Sequence, residues 1–411
     1  MKKLLLLVVA FVLQAEDLKS LLEYAAKNNK QLLSKSLQSD AKESSLASSK
    51  KSYFPTLDVG AFYQRFDDPS PFSPTATYSG FATLGVDIYD GGKRSHTIEQ
   101  KREELLASKS LYKAAKKSTS LEVAENFFNY KILEAELEAL KEGANAVHAQ
   151  LQRTERFYDA SLATSDDVSR LEAAYEGQMY EIDSLKFSLL ELKKSLELKV
   201  GKEVAEIGEG KFLKEETKES LVFDDIEAMR YEKNAILFAS KSVDAHFYPQ
   251  IRLEDTYSLY GYDDIPSFGG SPLPLPENQN KLMATLGVRL FDFGVAAEAK
   301  EALRLNASAL DAEIAYQTQA QEIQKRLSLS RITTATSKIK SAQSALTSAK
   351  STLESITQKY NNSIVDNIVY LDALTSYTDA KARYEASLYM LELAYALHYY
   401  YNSQKLEEFL Q

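Results

Sequence analysis

Thr83-Leu84-Gly85-Val86-Asp87-Ile88-Tyr89-Asp90 decides the fold because it occurs twice: Thr285-Leu286-Gly287-Val288-Arg289-Leu290-Phe291-Asp292 repeats it at an offset of 202 residues. Repetition at a fixed offset marks a duplicated architecture and takes precedence over local reading. The register persists downstream. Leu133, Leu137, Leu140, Ala144, Val147, Leu151, Thr154 and Tyr158 alternate steps of four and three, and the same offset lands on Ala335, Ile339, Ala342, Leu346, Ala349, Leu353, Ile356 and Tyr360. Upstream, Tyr53-Phe54-Pro55 is echoed by Phe247-Tyr248-Pro249 at an offset of 194, so one copy has gained or lost about two helical turns.

Proline placement separates helix from strand. The nine prolines fall in two clusters, at 55–74 and 249–276, and none lies from 77 to 248 or beyond 276. Proline removes an amide donor and clashes inside a helix, so its absence permits very long helices. Gly92 to Tyr158 is about 66 residues, roughly 100 Å of helix at 1.5 Å per residue. Its seam has the 3.5-residue period of a coiled coil. A Ser/Asp-rich turn at 161–167 follows, and a second helix returns with Val168, Leu171, Tyr175, Ile182, Leu185, Leu189, Leu192 and Leu196. Its counterpart carries Tyr370, Ala373, Tyr377, Ala380, Tyr384 and Leu391. Each half is expected to hold a long antiparallel helical hairpin.

The motif itself alternates. Tyr78, Gly80, Ala82, Leu84, Val86 and Ile88 interleave with Ser79, Phe81, Thr83, Gly85 and Asp87; Leu282, Ala284, Leu286, Val288 and Leu290 interleave with Met283, Thr285, Gly287 and Arg289. That is strand periodicity. Weaker partners at about 56–66 and 250–262 precede Pro-rich loops at 67–76 and 263–279. Strands of roughly 10 to 14 residues are long enough to cross a bilayer at a tilt. Nine aromatics between Tyr53 and Tyr89 suit interfacial girdles. The repeats are expected at 16–201 (β-hairpin 53–90, helical hairpin 91–200) and 226–411 (β-hairpin 247–293, helical hairpin 294–403), with a charged equatorial linker at 202–225.

Composition narrows the function. The 411 residues carry 49 basic and 59 acidic side chains, a net charge of −10, which leaves no basic surplus for nucleic acid. With no cysteine and only four scattered histidines, there is no thiol nucleophile, no thiolate metal site and little material for an acid/base centre. The chain is therefore not expected to be an enzyme or to hold a cofactor. Residues 1–15 read as a secretory signal, with Lys2 and Lys3 ahead of an apolar run from Leu4 to Leu13 and an end at Ala15; removing it takes the charge to −12. No run of 18 apolar residues occurs, so no transmembrane helix is expected.

Four strands cannot close a barrel, and an open edge in lipid leaves backbone groups unpaired at a cost of several kcal/mol each. If the strands span a membrane, two or more copies must join. A periplasmic coiled-coil scaffold without a pore is the alternative, but it leaves the two alternating hairpins at matched positions without a purpose.

With Asp90-Gly91-Gly92 and Asp292-Phe293-Gly294 at the strand–helix junctions and aromatic-Pro pairs before the strands, the chain resembles the TolC-type outer-membrane efflux proteins from about Asp17 to Tyr401. The resemblance implies a mainly α chain with a small transmembrane β part, internally duplicated. It implies a homotrimer whose strands close a 12-stranded β-barrel in the outer membrane of a Gram-negative bacterium. The helices would continue it as a periplasmic tunnel. It also implies a passive duct serving an inner-membrane pump through a periplasmic adaptor, with outer-membrane lipid around the barrel. The adaptor would meet the helical turns, where Ser161-Leu162 and Ser363-Ile364 stand. The family commonly has glycine at those two serines, so serine in both copies predicts turns without strongly left-handed geometry. Mapped onto the family's gate, Asp372 matches an acidic ring, Asp167 an acidic latch partner and Tyr360 the tyrosine that bonds to it, with Asp366 nearby. Val369 and Val365 stand where the family carries a second acid and an arginine, so the latch is thinner here. Asp372 is expected to form a threefold acidic ring favouring cations.

Overall fold

The computed structural model describes residues 16–68, 72–214, 221–362 and 364–411; the expected signal at 1–15 and Ser363 lie outside them. The chain is mostly helical with one four-stranded antiparallel sheet. In order it forms α1 (Leu18–Asn28), α2 (Lys30–Lys51), β1 (Thr56–Arg65), β2 (Ala76–Asp90), α3 (Lys93–Asp159) and α4 (Ser165–Val200). Then come α5 (Asp224–Asp244), β3 (Gln250–Asp263), the two-residue strands β4 (Ser267–Phe268) and β5 (Ser271–Pro272), β6 (Asn278–Gly287), α6 (Val295–Asn361) and α7 (Asn367–Tyr401). The same series of helix, hairpin, long helix and returning helix thus occurs twice, and α3 and α6 each run 67 residues.

Contacts divide the chain across the repeats rather than between them. One unit holds Met1–Ser36, Leu111–Asp225 and Gln317–Gln411; the other holds Leu37–Ser110 and Ile226–Tyr316.

In the first unit the coiled-coil seam is core. Leu137 and Ala144 of α3 bury against Ile182 and Leu189 of α4, and further along Val147 and Leu151 pack with Leu171 and Leu374. The second seam is thinner: Ala335 packs with Leu391 and Ala394, while Ile339, Leu346 and Leu353 stay half-exposed. The largest core joins α1, α3, α4 and α7 through Leu18, Leu21, Leu22, Phe127, Phe128, Leu196 and Tyr399. The segment expected as a linker enters it, since Val204, Ile207 and Phe212 are buried there. Gly210 lets the linker approach, because a Cβ would lie 2.8 Å from Leu18 Cβ. Phe212 is tied down twice: its ring lies 5.8 Å from that of Tyr399, and its amide donates to the Glu392 carboxylate at 2.8 Å. The Tyr399 hydroxyl donates to the Leu213 carbonyl.

The second unit holds the sheet, ordered β1-β2-β3-β6 with β1 and β6 as its edges. The alternation predicts a last strand reaching Leu290, but β6 ends at Gly287. Gly287 pairs with Gln250, the first residue of β3, and Pro249 before it has no amide to donate, so residues 288–291 lack a ladder partner within the chain.

Candidate functional site

Three places carry the candidate site: the sheet, the junctions that leave it, and the turns that end the long helices.

Ladder pairing assigns every strand residue to a face, because directly opposed residues share one. Leu57, Leu84, Asp255 and Leu282 are opposed across the four strands, as are Val59, Ala82, Tyr257 and Asn280. With Tyr63, Tyr78, Leu253, Leu259 and Leu286 they make one mainly apolar face that is left open to solvent in the chain: Val59 is 79% exposed. The opposite face carries Asp58, Asp87, Arg252, Glu254 and Lys281. There Arg252 donates to Asp87 at 3.0 Å and to Glu254 at 2.8 Å, and Thr83 meets Thr256 at 3.0 Å. Gly85 leaves room for that guanidinium, since a Cβ would lie 2.9 Å from it. A mainly apolar sheet face left exposed is the reverse of a sheet packed for water.

Each motif aspartate organises the junction after it. Asp90 accepts the amides of Gly92 at 3.1 Å and Arg94 at 2.8 Å; Asp292 accepts those of Gly294 at 3.0 Å and Ala296 at 2.9 Å. Both therefore satisfy donors that the first helical turn leaves free. Arg94 adds bonds from its side chain to Asp90 and to the carbonyls of Asp87 and Ser52, and lies over the Tyr53 ring at 4.4 Å. Gly91 and its counterpart Phe293 share positive φ, 70° and 57°. At Gly91 a Cβ would meet the Ala245 carbonyl oxygen at 2.6 Å, so glycine is required. Phe293 is 91% exposed, its ring 4.7 Å from that of Phe291.

At the first helical turn Ser161 sits at φ 60°, contrary to the expectation from its serine. The Leu162 amide donates to the Phe157 carbonyl at 2.7 Å and the Ser161 amide to Tyr158 at 2.8 Å, a Schellman-type ending that needs a left-handed residue. Serine takes that conformation here at a strain glycine would not incur. Thr164 and Asp167 then form a reciprocal capping box that opens α4, while Asp366 accepts the Val369 amide at 3.1 Å to open α7. The expected Tyr360–Asp167 bond is not made within the chain. Asp167 is taken up by Thr164, at 2.7 Å from its hydroxyl, and the Tyr360 hydroxyl accepts from Gln150 at 2.7 Å. What joins the two turns is Asn367, buried, donating to the Asp167 carbonyl at 3.4 Å, together with Arg153 bonding Asn361 at 2.6 Å. Asn367 and Gln150 were missed by sequence reasoning; a polar side chain lodged inside an apolar seam is the signal that could have found Gln150. Tyr360 stacks on Tyr370 at 5.1 Å, and burial raises the Tyr370 hydroxyl pKa. Leu162 and Ile364 project into solvent, 76% and 69% exposed. Asp372 is exposed on a groove of about 610 Å³ between α6 and α7, beside Thr352, Ile356 and Asp379.

No described group of acidic or histidine side chains could hold a metal ion, and no described helix is long and apolar enough to cross a membrane.

Residues 21–201 match the family model described as "Outer membrane efflux protein". The outer membrane protein TolC of Vibrio cholerae is 28% identical over 187 residues, which cover 43% of this chain and 42% of that protein, so the match spans less than half the length of either. Among solved structures, the CmeC outer membrane channel of Campylobacter jejuni has a TM-score of 0.82 at 15% identity, covering 94% of this chain and 85% of that one. The outer membrane protein VceC of Vibrio cholerae has a TM-score of 0.76 at 17% identity, covering 95% and 96%. The open-state MtrE outer membrane channel of Neisseria gonorrhoeae has 0.78 at 17%, covering 95% and 89%. These likenesses establish the fold across nearly the whole chain.

Proposed function

We propose that the chain, whose residues 21–201 match the outer membrane efflux protein model, belongs with the TolC-type outer-membrane efflux proteins and forms the exit duct of a tripartite export system. Three copies close their twelve strands into one barrel in the outer membrane, and their helices continue as a periplasmic tunnel. Substrate enters from an inner-membrane pump through a periplasmic adaptor. The observation that carries this reading is the reversed sheet. An exposed apolar face from Leu57 to Leu286 gains by facing lipid, whereas Asp87, Arg252, Glu254 and Lys281 suit a water-filled lumen. The two unpaired edges, β1 and β6, supply the reason to assemble. A pore-free scaffold would leave that apolar face in water. The test is fractionation and conductance: the purified protein is expected in detergent-extracted outer membrane as a heat-dissociated oligomer that opens ion-conducting steps in planar bilayers. A detergent-free soluble monomer with intact hairpins would sink the reading.

Within that duct Asp372 is assigned the cation-favouring ring, since three exposed carboxylates converging on a narrow lumen select by charge. Leu162 and Ile364, with Ser161 and Ser363, are assigned the adaptor contact; the exposure of those two apolar residues beside well-capped turns supports it. Photo-cross-linkers at Leu162 and Ile364 should capture the adaptor, and capture from mid-helix positions instead would relocate the contact.

A further inference from the structure

The duplication lets the seam within one chain serve as a template for the seam between copies. The hairpin registers are superimposable: Thr56 opposes Gly85 and Gln250 opposes Gly287, which are the same two positions under the offsets 194 and 202. The repeats meet once inside the chain, where β2 pairs β3. There Thr83 opposes Thr256, Val86 opposes Leu253 and Asp87 opposes Arg252; past a bulge, Tyr89 opposes Ile251 and Asp90 opposes Gln250.

We propose that β6 of one copy continues to Asp292 and pairs with β1 of the next in the register that opposes Arg289 to Asp58, and that this ion pair fixes the seam. The proposal rests on the ring described above. Carrying β2 forward by 202 and β3 back by 194 opposes Thr285 to Phe62, Val288 to Val59, Arg289 to Asp58 and Phe291 to Leu57. Each pair keeps to one face: valine meets valine and phenylalanine meets leucine on the apolar side, and the two charges meet on the polar side. The intrachain ion pair Asp87–Arg252 returns with its signs exchanged. Asp58 and Arg289 are both exposed and have no ionic partner among the described residues. A slip by one residue would turn every side chain to the wrong face, and a slip by two would set Arg289 against Gly60 or Thr56.

Two features of the single chain follow from this seam. Residues 288–291 fall outside β6 because the strand that completes their ladder belongs to another copy, which is why Leu290 is 88% exposed. Gly91 is pressed against Ala245 and Tyr248 inside the chain; its counterpart Phe293 would by the same shift lie against Lys51 and Phe54 of the next copy. There the close approach that demands glycine becomes a contact filled by an aromatic ring.

The absence of native cysteine makes the test direct. Opposed residues in an antiparallel ladder have Cα atoms about 4.5–5.5 Å apart, within disulfide reach. Asp58→Cys combined with Arg289→Cys, oxidised in native outer membranes, is expected to give disulfide-linked dimers and trimers. Neither single variant should, and Asp87→Cys with Arg252→Cys should close within one chain and leave its mobility monomeric. If an amine cross-linker traps trimers but disulfides form only in a shifted pair, such as Gly60→Cys with Arg289→Cys, the register is overturned and the ring stands. If the amine cross-linker traps no oligomer, the ring itself fails. Should the cysteine variants not assemble, charge exchange decides: Asp58→Arg should lose most of the heat-resistant trimer and Asp58→Arg with Arg289→Asp should regain it. No recovery would overturn the ion pair.

Discussion

Asp90 and Asp292 do the same work with different support, so their removal should differ in cost. Each accepts two amides ahead of a long helix, a capping role typically worth about 0.5–2 kcal/mol. Asp90 also orients Arg94, whose other bonds reach Asp87 and Ser52. Asp90→Ala should therefore destabilise the chain more than Asp292→Ala, by about 1 kcal/mol on the scale of one charge-assisted hydrogen bond, measured by urea denaturation. A second residue-scale prediction concerns Glu392. Burial raises its carboxyl above the usual carboxylate range, against the opposing hydrogen bond from the Phe212 amide and the lysines at 214 and 211. The folded chain thus holds that proton more tightly than the unfolded one, and stability declines as pH rises from the ordinary carboxylate value through the folded one. Glu392→Gln keeps an acceptor for Phe212 and should flatten that decline; parent and variant melting in parallel as pH rises above the ordinary carboxylate value would contradict the assignment. Asp372→Ala should lower cation-over-anion permeability and weaken block by divalent ions, and single-channel recordings with both unchanged would remove Asp372 from the constriction.

Elements show what a sequence can and cannot disclose. The helices were legible because period and proline placement act locally: Leu137, Ala144, Val147 and Leu151 of the seam are buried as their spacing predicts. The strands were legible in their alternation but not at their ends, because β6 stops where its intrachain partner begins, and pairing is a property of two segments. The turn at Ser161 was misjudged from residue type alone. Its φ of 60° is imposed by two carbonyls of α3 that need the amides of Ser161 and Leu162, a demand that overrides serine's own preference. Within the chain Asp167 and Tyr360 take other partners, because Thr164 three residues before Asp167 and Gln150 beside Tyr360 are the nearer competitors. Residues 202–225 read as a charged linker because their apolar side chains are few and scattered, yet Phe212 closes the largest core. Phe212→Ala should cost about 3–5 kcal/mol in thermal or denaturant unfolding, the usual range for emptying a buried aromatic site. A cost below 1 kcal/mol would mean the segment is only draped over the helices.

For the whole molecule the governing quantity is the apolar face of the sheet. Val59 lies on the edge strand of that face, beside Ala82 on its neighbouring strand and open on the other side. Val59→Arg should lower barrel stability in lipid by about 2–4 kcal/mol if the face meets the bilayer near its midplane, and by little if it does not. Refolding into vesicles of defined thickness reads that difference. The Asp87–Arg252 contact has a further consequence once its mirror, Arg289 and Asp58, is set beside it. Strand β2 offered to a foreign β1 would confront two carboxylates, and β6 offered to a foreign β3 would confront two guanidiniums. Front halves and rear halves must then alternate strictly around the circumference. In the proposed ring, duplication followed by one exchange of polarity would turn six interchangeable halves into an assembly that counts only in whole chains.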